Sequence, residues 1–163
     1  MPGSPARPPR PSWDEYFMQV ASVVKTRSTC LSSAKGAVLV LDRQIVSTGY
    51  NGTPAGTKNC NEGGCARCLA VREGKIKSGE DLGSCSCSHC EENAIVQAAK
   101  NGIATSGATI YSTHSPCTIC SKMIINAGIK RVVAATSYPD QLGVRLMKEA
   151  GLELVMISSS ASG

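Results

Sequence analysis

The chain has 163 residues, with 17 basic against 12 acidic side chains, nine cysteines and only two histidines. At 42% hydrophobic and 18% charged residues it carries enough apolar material for a packed core, which excludes wholesale disorder, and its length suits one domain of about 100–200 residues. The net charge is +5, and with Arg7 and Arg10 in a proline-rich lead-in only +3 is left for the rest, which excludes a broad duplex-DNA-binding face but permits a pocket for a phosphorylated small molecule.

Residues 1–11 hold five of the eight prolines and read as a flexible lead-in without the apolar core of a secretory signal. Residues 12–157 read as one folded domain, and 158–163, small and polar, as a flexible tail. Ser12 with Glu15 forms a capping-box pattern, and Trp13, Tyr16, Phe17, Val20, Ala21 and Val24 recur at the spacing of an amphipathic helix used for core packing. Gly36–Leu41 and Ile45–Thr48 read as a hairpin turning at Asp42, Arg43 and Gln44. From Gly49 to Ser88 there is little periodicity but five cysteines, and a loop of that length has to be tied down by something. A regular alternation follows: helix over His89–Asn101 ending at Gly102, strand over Ala108–Thr113, helix over Cys117–Ala127 ending at Gly128, strand over Arg131–Thr136, helix over Gln141–Ala150, strand over Leu152–Ile157. Together these predict an α/β fold, a three-layer α/β/α sandwich around a mixed five-stranded sheet. No stretch approaches the roughly 18–20 apolar residues of a membrane span. The expectation is an intracellular, cytoplasmic protein, in which an odd number of thiols is not a disulfide framework.

The chemistry concentrates in two helix starts. One carries His89-Cys90-Glu91 and the other Ser115-Pro116-Cys117-Thr118-Ile119-Cys120. Cysteines three apart share one face of a helical turn, and a helix N-terminus favours the thiolate that a metal binds. One imidazole and two thiolates leave a tetrahedral ion one open position, the mark of a catalytic rather than a structural zinc site. Glu91 lies beside that donor set without being needed in it, as a proton shuttle would. His-x-Glu followed by Pro-Cys-x-x-Cys is the signature of zinc-dependent nucleobase deaminases.

With these motifs the sequence resembles the cytidine/deoxycytidylate deaminase superfamily and, more narrowly, its deoxycytidylate (dCMP) deaminases. The narrower likeness rests on Arg27-Ser28-Thr29-Cys30, Gly36-Ala37-Val38, Ser47 through Pro54, Asn59-Cys60, His89 through Ala94, Ile110 through Thr113, Ala127 through Val132, and Tyr138. It implies a cytidine-deaminase-like fold, Zn2+ held by His89, Cys117 and Cys120, Glu91 as the proton shuttle, and conversion of dCMP to dUMP and ammonia in pyrimidine deoxynucleotide biosynthesis. It also implies contacts of Asn51 with the sugar, of the Cys90 backbone N–H with the base, of Ser115 with the exocyclic amine and of Tyr138 with the sugar-phosphate. His114, next to the second motif, is a further pocket residue. Allosteric members bind dCTP as activator and dTTP as inhibitor, with Mg2+, in a homohexamer, and Gly49, Asn51 and Gly52 match their regulatory region. Two departures stand out. Cys90 replaces the usual alanine, placing a fourth thiol near the metal as an extra ligand or an oxidation site, and Ser32, Ser33 and Lys35 replace a commoner basic stretch.

Cys30, Cys60, Cys65, Cys68, Cys85 and Cys87 remain. They are candidate ligands of structural zinc ordering the long loop, as the family resemblance also implies, with Cys30, Cys60 and Cys85 foremost. One site leaves two thiols spare, two sites share sulfurs, and some of the six could simply be buried. Two other functions compete with dCMP deamination. A deaminase of a base within tRNA or single-stranded DNA needs a basic, aromatic-lined groove, for which the chain is poor in both. A non-catalytic zinc-stabilised module has no use for Glu91. Neither a membrane nor a nucleic-acid partner is expected.

Overall fold

The structure, a computed structural model, describes residues 9–137 and 140–157, so the first eight residues, Tyr138, Pro139 and the tail from Ser158 lie outside the described residues. Helix α1 (Trp13–Lys25) is followed by strands β1 (Gly36–Leu41) and β2 (Gln44–Tyr50), then α2 (Ala66–Arg72) and α3 (Cys90–Lys100). Strand β3 (Thr109–Ser112), α4 (Thr118–Asn126), β4 (Arg131–Ala134), α5 (Gln141–Glu149) and β5 (Glu153–Met156) complete the order. The capping box at Ser12 forms in both directions, with the Ser12 hydroxyl accepting from the Glu15 N–H and the Glu15 carboxylate from the Ser12 N–H. The hairpin is tighter than expected. Asp42 and Arg43 alone make the turn, both left-handed at φ 50° and 63°, a conformation that matches the twist of the flanking strands, and β2 already begins at Gln44.

The five strands run β2-β1-β3-β4-β5, with β1 antiparallel to β2 and β3, and β4 parallel to β3 and β5. Both faces of β1 are buried because a helix layer covers each. Phe17, Met18 and Ala21 of α1 pack on Val38, Val40, Tyr111 and Val133. On the other face Ala37, Leu39, Ile110 and Val132 meet Ala94 and Ala98 of α3, Ile124 of α4 and Met147 of α5. This is the expected three-layer α/β/α sandwich with a mixed sheet. Across it Asp14 of α1 accepts two hydrogen bonds from the Arg131 guanidinium at 2.7 and 2.8 Å and one from the Tyr111 hydroxyl at 2.8 Å. The Arg131 charge accordingly holds the Asp14 carboxyl below the usual range.

Two boundaries differ by one residue in a way that matters. His89 and Cys117 are not inside helices but cap them, each in extended backbone immediately before α3 and α4. The segment from Gly49 to Ser88 is also less irregular than its sequence implies. It contains α2, capped by Cys65, whose sulfur accepts from the Cys68 N–H, and two short 3-10 turns at Cys60–Glu62 and Leu82–Ser84. The buried Arg67 side chain braces it by donating twice to the Glu80 carbonyl, at 2.8 and 2.9 Å.

Candidate active site

The site lies beyond the C-terminal end of β3, where sheet pairing changes from antiparallel to parallel. Ala134 and Ser112 end neighbouring strands, and the chain leaving β3 passes through Thr113–Pro116 directly into α4. The N-termini of α3 and α4 meet there. His89 Nδ1 is 3.4 Å from the sulfur of Cys117 and 3.4 Å from that of Cys120, and the three donor atoms all lie within 4.8 Å of one another. Charge in the cluster is already arranged for a cation. Hydrogen bonds from Cys120 and from His89 push the Cys117 thiol down to about 4, while the same sulfur and burial push Cys120 up. The Cys117 contact raises His89. One imidazole and two sulfurs, converging on one point with a thiolate among them, fit Zn2+ with one position left over.

Glu91, at the second position of α3, is only 3% exposed, and its Oε1 accepts a 2.6 Å hydrogen bond from the Ser112 hydroxyl. Ser112 is fully buried, so this bond is shielded from water and fixes the carboxylate in one orientation. Neither Ser112 nor Asp140 is conspicuous in the sequence, and both support the site. Asp140 caps α5 and also accepts from the Thr118 N–H and hydroxyl, each at 2.6 Å, so the helix bearing Cys120 is pinned at its first residue. Replacing Ser112 with alanine is expected to lower kcat by about tenfold, with KM and zinc content little changed, the loss of one buried charge-assisted hydrogen bond. Steady-state kinetics with zinc analysis alongside checks this.

One cleft gathers His89, Glu91 and Cys117 with Asn51, His114 and Ser115, together with Lys35 and four of the remaining cysteines. Asn51 is 5% exposed, and its amide is already heavily engaged. Oδ1 accepts from the Ser28 hydroxyl and the Lys35 N–H, both at 2.7 Å, and Nδ2 donates to the Ser33 carbonyl at 2.7 Å. Asn51 thus shapes the rim formed by Ser28–Lys35, with one amide hydrogen in reserve. Ser115 is held by its N–H to the Thr136 carbonyl at 2.7 Å. His114 contacts the Thr113 hydroxyl at 3.4 Å, and burial together with the Lys35 charge lowers its pKa, so it enters the cleft as neutral imidazole at pH 7. Tyr138 lies outside the described residues.

The expectation for the Cys90 thiol is corrected. Its side chain is fully buried in the core with Ala37, Ala94 and Ala98, contacts Ser112 at 3.7 Å, and is no member of the donor set. Burial raises its pKa well above the ordinary thiol value, so it is neither a ligand nor a reactive thiolate. Gly49 and Gly52 do not face this cleft. They line a second groove with Arg27, Tyr50, Asn93 and Lys100, separate from Asn51's position in the first. The six other cysteines are free thiols converging in one cluster, which joins the cleft wall through Cys30, Cys68, Cys85 and Cys87.

An α/β/α sandwich presenting a His/Cys/Cys donor set beside a buried glutamate has the form of the zinc-type deaminases. A family model, the cytidine and deoxycytidylate deaminase zinc-binding region, matches residues 11–136. The deoxycytidylate deaminase of Schizosaccharomyces pombe is 44% identical over 146 residues, 89% of this chain and 44% of that protein. That of Mycobacterium phage D29 is 41% identical over 136 residues, 81% of this chain and 98% of the phage protein. A crystal structure of the cyanophage S-TIM5 dCMP deaminase in complex with dCMP and dUMP matches with a TM-score of 0.74 at 31% identity, over 91% of this chain and 98% of that one. The chain belongs to the cytidine and deoxycytidylate deaminase family. It spans a little under half the length of its two yeast relatives, 44% of the S. pombe protein and 46% of the Saccharomyces cerevisiae deoxycytidylate deaminase.

Proposed function

We propose that this chain hydrolyses dCMP to dUMP and ammonia. The observation that carries the reading is the buried Glu91 carboxylate, fixed by Ser112 beside His89, Cys117 and Cys120 in the cleft that also gathers Asn51, His114 and Ser115. The names of the relatives point to the same substrate. His89, Cys117 and Cys120 are the residues to hold Zn2+, which when bound lowers the pKa of its water to about 7. The chain's own groups do the rest. With Oε1 fixed by Ser112, Glu91 takes the water proton on its other oxygen and delivers it to ring N3 as oxygen adds at C4. It then carries the proton of the hydroxyl added at C4 to the exocyclic amine, so that C4 becomes a carbonyl as its C–N bond breaks and ammonia leaves. The Cys90 N–H, at the first position of α3, has no intrahelical partner and is suited to a base oxygen. Ser115 is the residue for the amine, the reserve hydrogen of Asn51 the donor for the sugar, and Lys35 and His114 the residues for the phosphate end, while Tyr138, outside the described residues, is assigned to the sugar-phosphate by the family likeness alone.

Regulation belongs to the same proposal, with dCTP as activator and dTTP as inhibitor bound with Mg2+ in the groove of Gly49 and Gly52. Arg27 and Lys100 there supply cationic side chains for phosphates. A homohexamer acting in deoxynucleotide biosynthesis in the cytoplasm completes it. The test is ammonia release from dCMP, CMP, dCTP, deoxycytidine and single-stranded DNA, with the dCMP reaction repeated in the presence of Mg2+ and either dCTP or dTTP. Release from dCMP alone, suppressed by dTTP, is expected. Activity confined to the DNA strand overturns the substrate, and indifference to both triphosphates overturns the regulation.

A further inference from the structure

The six cysteines outside the catalytic donor set form two four-sulfur groups that overlap. Cys30, Cys60, Cys68 and Cys87 make one, Cys65, Cys68, Cys85 and Cys87 the other, so Cys68 and Cys87 belong to both. We propose that these six thiols hold a binuclear zinc cluster in which Cys68 and Cys87 each bridge the two ions. This site is independent of the deaminase reading.

The spacing of the sulfurs is the first argument. With Zn–S near 2.3 Å, two sulfurs on one tetrahedral zinc stand about 3.8 Å apart. The observed separations are 3.7 Å for Cys30–Cys68, 3.7 Å for Cys68–Cys85, 3.9 Å for Cys65–Cys85 and 4.0 Å for Cys68–Cys87. A disulfide needs about 2.05 Å, and all six are free. Thiols packed only as small apolar residues have no reason to repeat a tetrahedral edge across both groups.

The hydrogen bonds to sulfur are the second. Leu31 donates its N–H to Cys60 at 3.3 Å, and Cys68 and Ser86 donate theirs to Cys65 at 3.5 and 3.4 Å. These acceptors are terminal sulfurs, one in each group. Among the described residues no backbone N–H reaches Cys68 or Cys87. A terminal thiolate keeps more of its charge and gains from N–H donors, whereas a bridging one shares its charge with two cations. The distribution of donors therefore follows the division into terminal and bridging positions.

The third argument is economy of charge and burial. A single ion on the first group strands Cys65 and Cys85 against a tetrathiolate, and a single ion on the second strands Cys30 and Cys60. Cys60 and Cys65 are both fully buried, where an unligated thiol beside that negative charge gains nothing. Two ions use every sulfur. The cluster also has a position with consequences. Gly52 and Ser88 exchange backbone hydrogen bonds at 2.9 and 3.2 Å, linking the segment after Cys87 to the strand end before it reaches His89. Metal at these sulfurs thus orders one wall of the substrate cleft.

Native mass spectrometry of the zinc-loaded protein should show three zinc ions per chain, one for the His89 group and two here. In cadmium-substituted protein, proton–cadmium correlation spectra should join the Cβ protons of Cys68 and of Cys87 each to two cadmium resonances, and those of the other four cysteines to one. Cys60→Ser should release one ion and Cys68→Ser both, leaving the catalytic one. Two zinc ions in all, or Cys68 and Cys87 each correlating with a single cadmium, overturns the bridge. The spectra are recorded on the unmodified chain, so a serine variant that fails to fold does not blunt the test.

Discussion

Glu91→Gln is expected to cut dCMP turnover by at least about 10²–10⁴-fold, the usual contribution of a positioned acid–base group, while zinc content and folding stay unchanged. The amide preserves the shape of the carboxylate and still accepts the Ser112 hydrogen bond, so α3 and the cleft keep their packing. What it loses is the capacity to take a proton. His89→Ala provides the contrast, removing one of the three donors and thereby metal and turnover together. The pair of variants separates two ways of being inactive. Zinc analysis alongside ammonia release decides between them, and a Glu91→Gln protein that keeps full activity sinks the proton-shuttle role.

What could be seen in the sequence was whatever depends on neighbours in the chain. His89-Cys90-Glu91 and Pro116-Cys117-x-x-Cys120 are local patterns, and the alternation after Ser88 is set by glycines at helix ends and by strand-length apolar runs. What escaped depends on contacts across the fold. Ser112 is 21 residues from Glu91, and Asp140 is 22 from Thr118, so nothing in either neighbourhood signals the hydrogen bond. Helix α2 escaped for another reason. It has seven residues, carries Arg67 and Cys68 on its buried side, and owes its start to a cysteine cap rather than to an apolar stripe. The burial of Cys90 does have a signal in the sequence, although the residue sits inside the metal-binding motif. Cys90, Ala94 and Ala98 recur at i, i+4 and i+8, the spacing of one buried helix face, while Glu91 one residue on is turned to the cleft. The six cysteines outside the catalytic donor set are legible in the sequence as candidate metal ligands. Their division into two overlapping groups needed the folding of α2 between Cys30 and Cys85–Cys87.

Gly49→Ala is expected to destabilise the protein by about 2–3 kcal/mol, the range of overpacking that cannot be relieved by a rotamer change. The reason is the approach of β2 to α3. A Cβ at Gly49 meets the Cys90 carbonyl and the Ala94 N–H, both backbone, so the strand or the helix has to move. Movement is resisted on either side of the glycine. The Ser47 hydroxyl donates to the Ala94 carbonyl at 2.6 Å, and the Asn93 amide to the Tyr50 carbonyl at 2.8 Å. The helix under strain is the one whose first turn carries Glu91 and whose cap is His89, so activity should fall along with stability. For a chain of this size the melting temperature should drop by roughly 5–10 °C. Thermal unfolding without any nucleotide is the decisive measurement, because it separates the two uses of this glycine. A residue needed only so that a regulatory nucleotide can approach the backbone leaves the ligand-free protein as stable as before. One needed for strand and helix to touch costs the same with or without ligand. An unchanged melting temperature, joined to lost inhibition by dTTP, assigns Gly49 to the groove and removes the packing account.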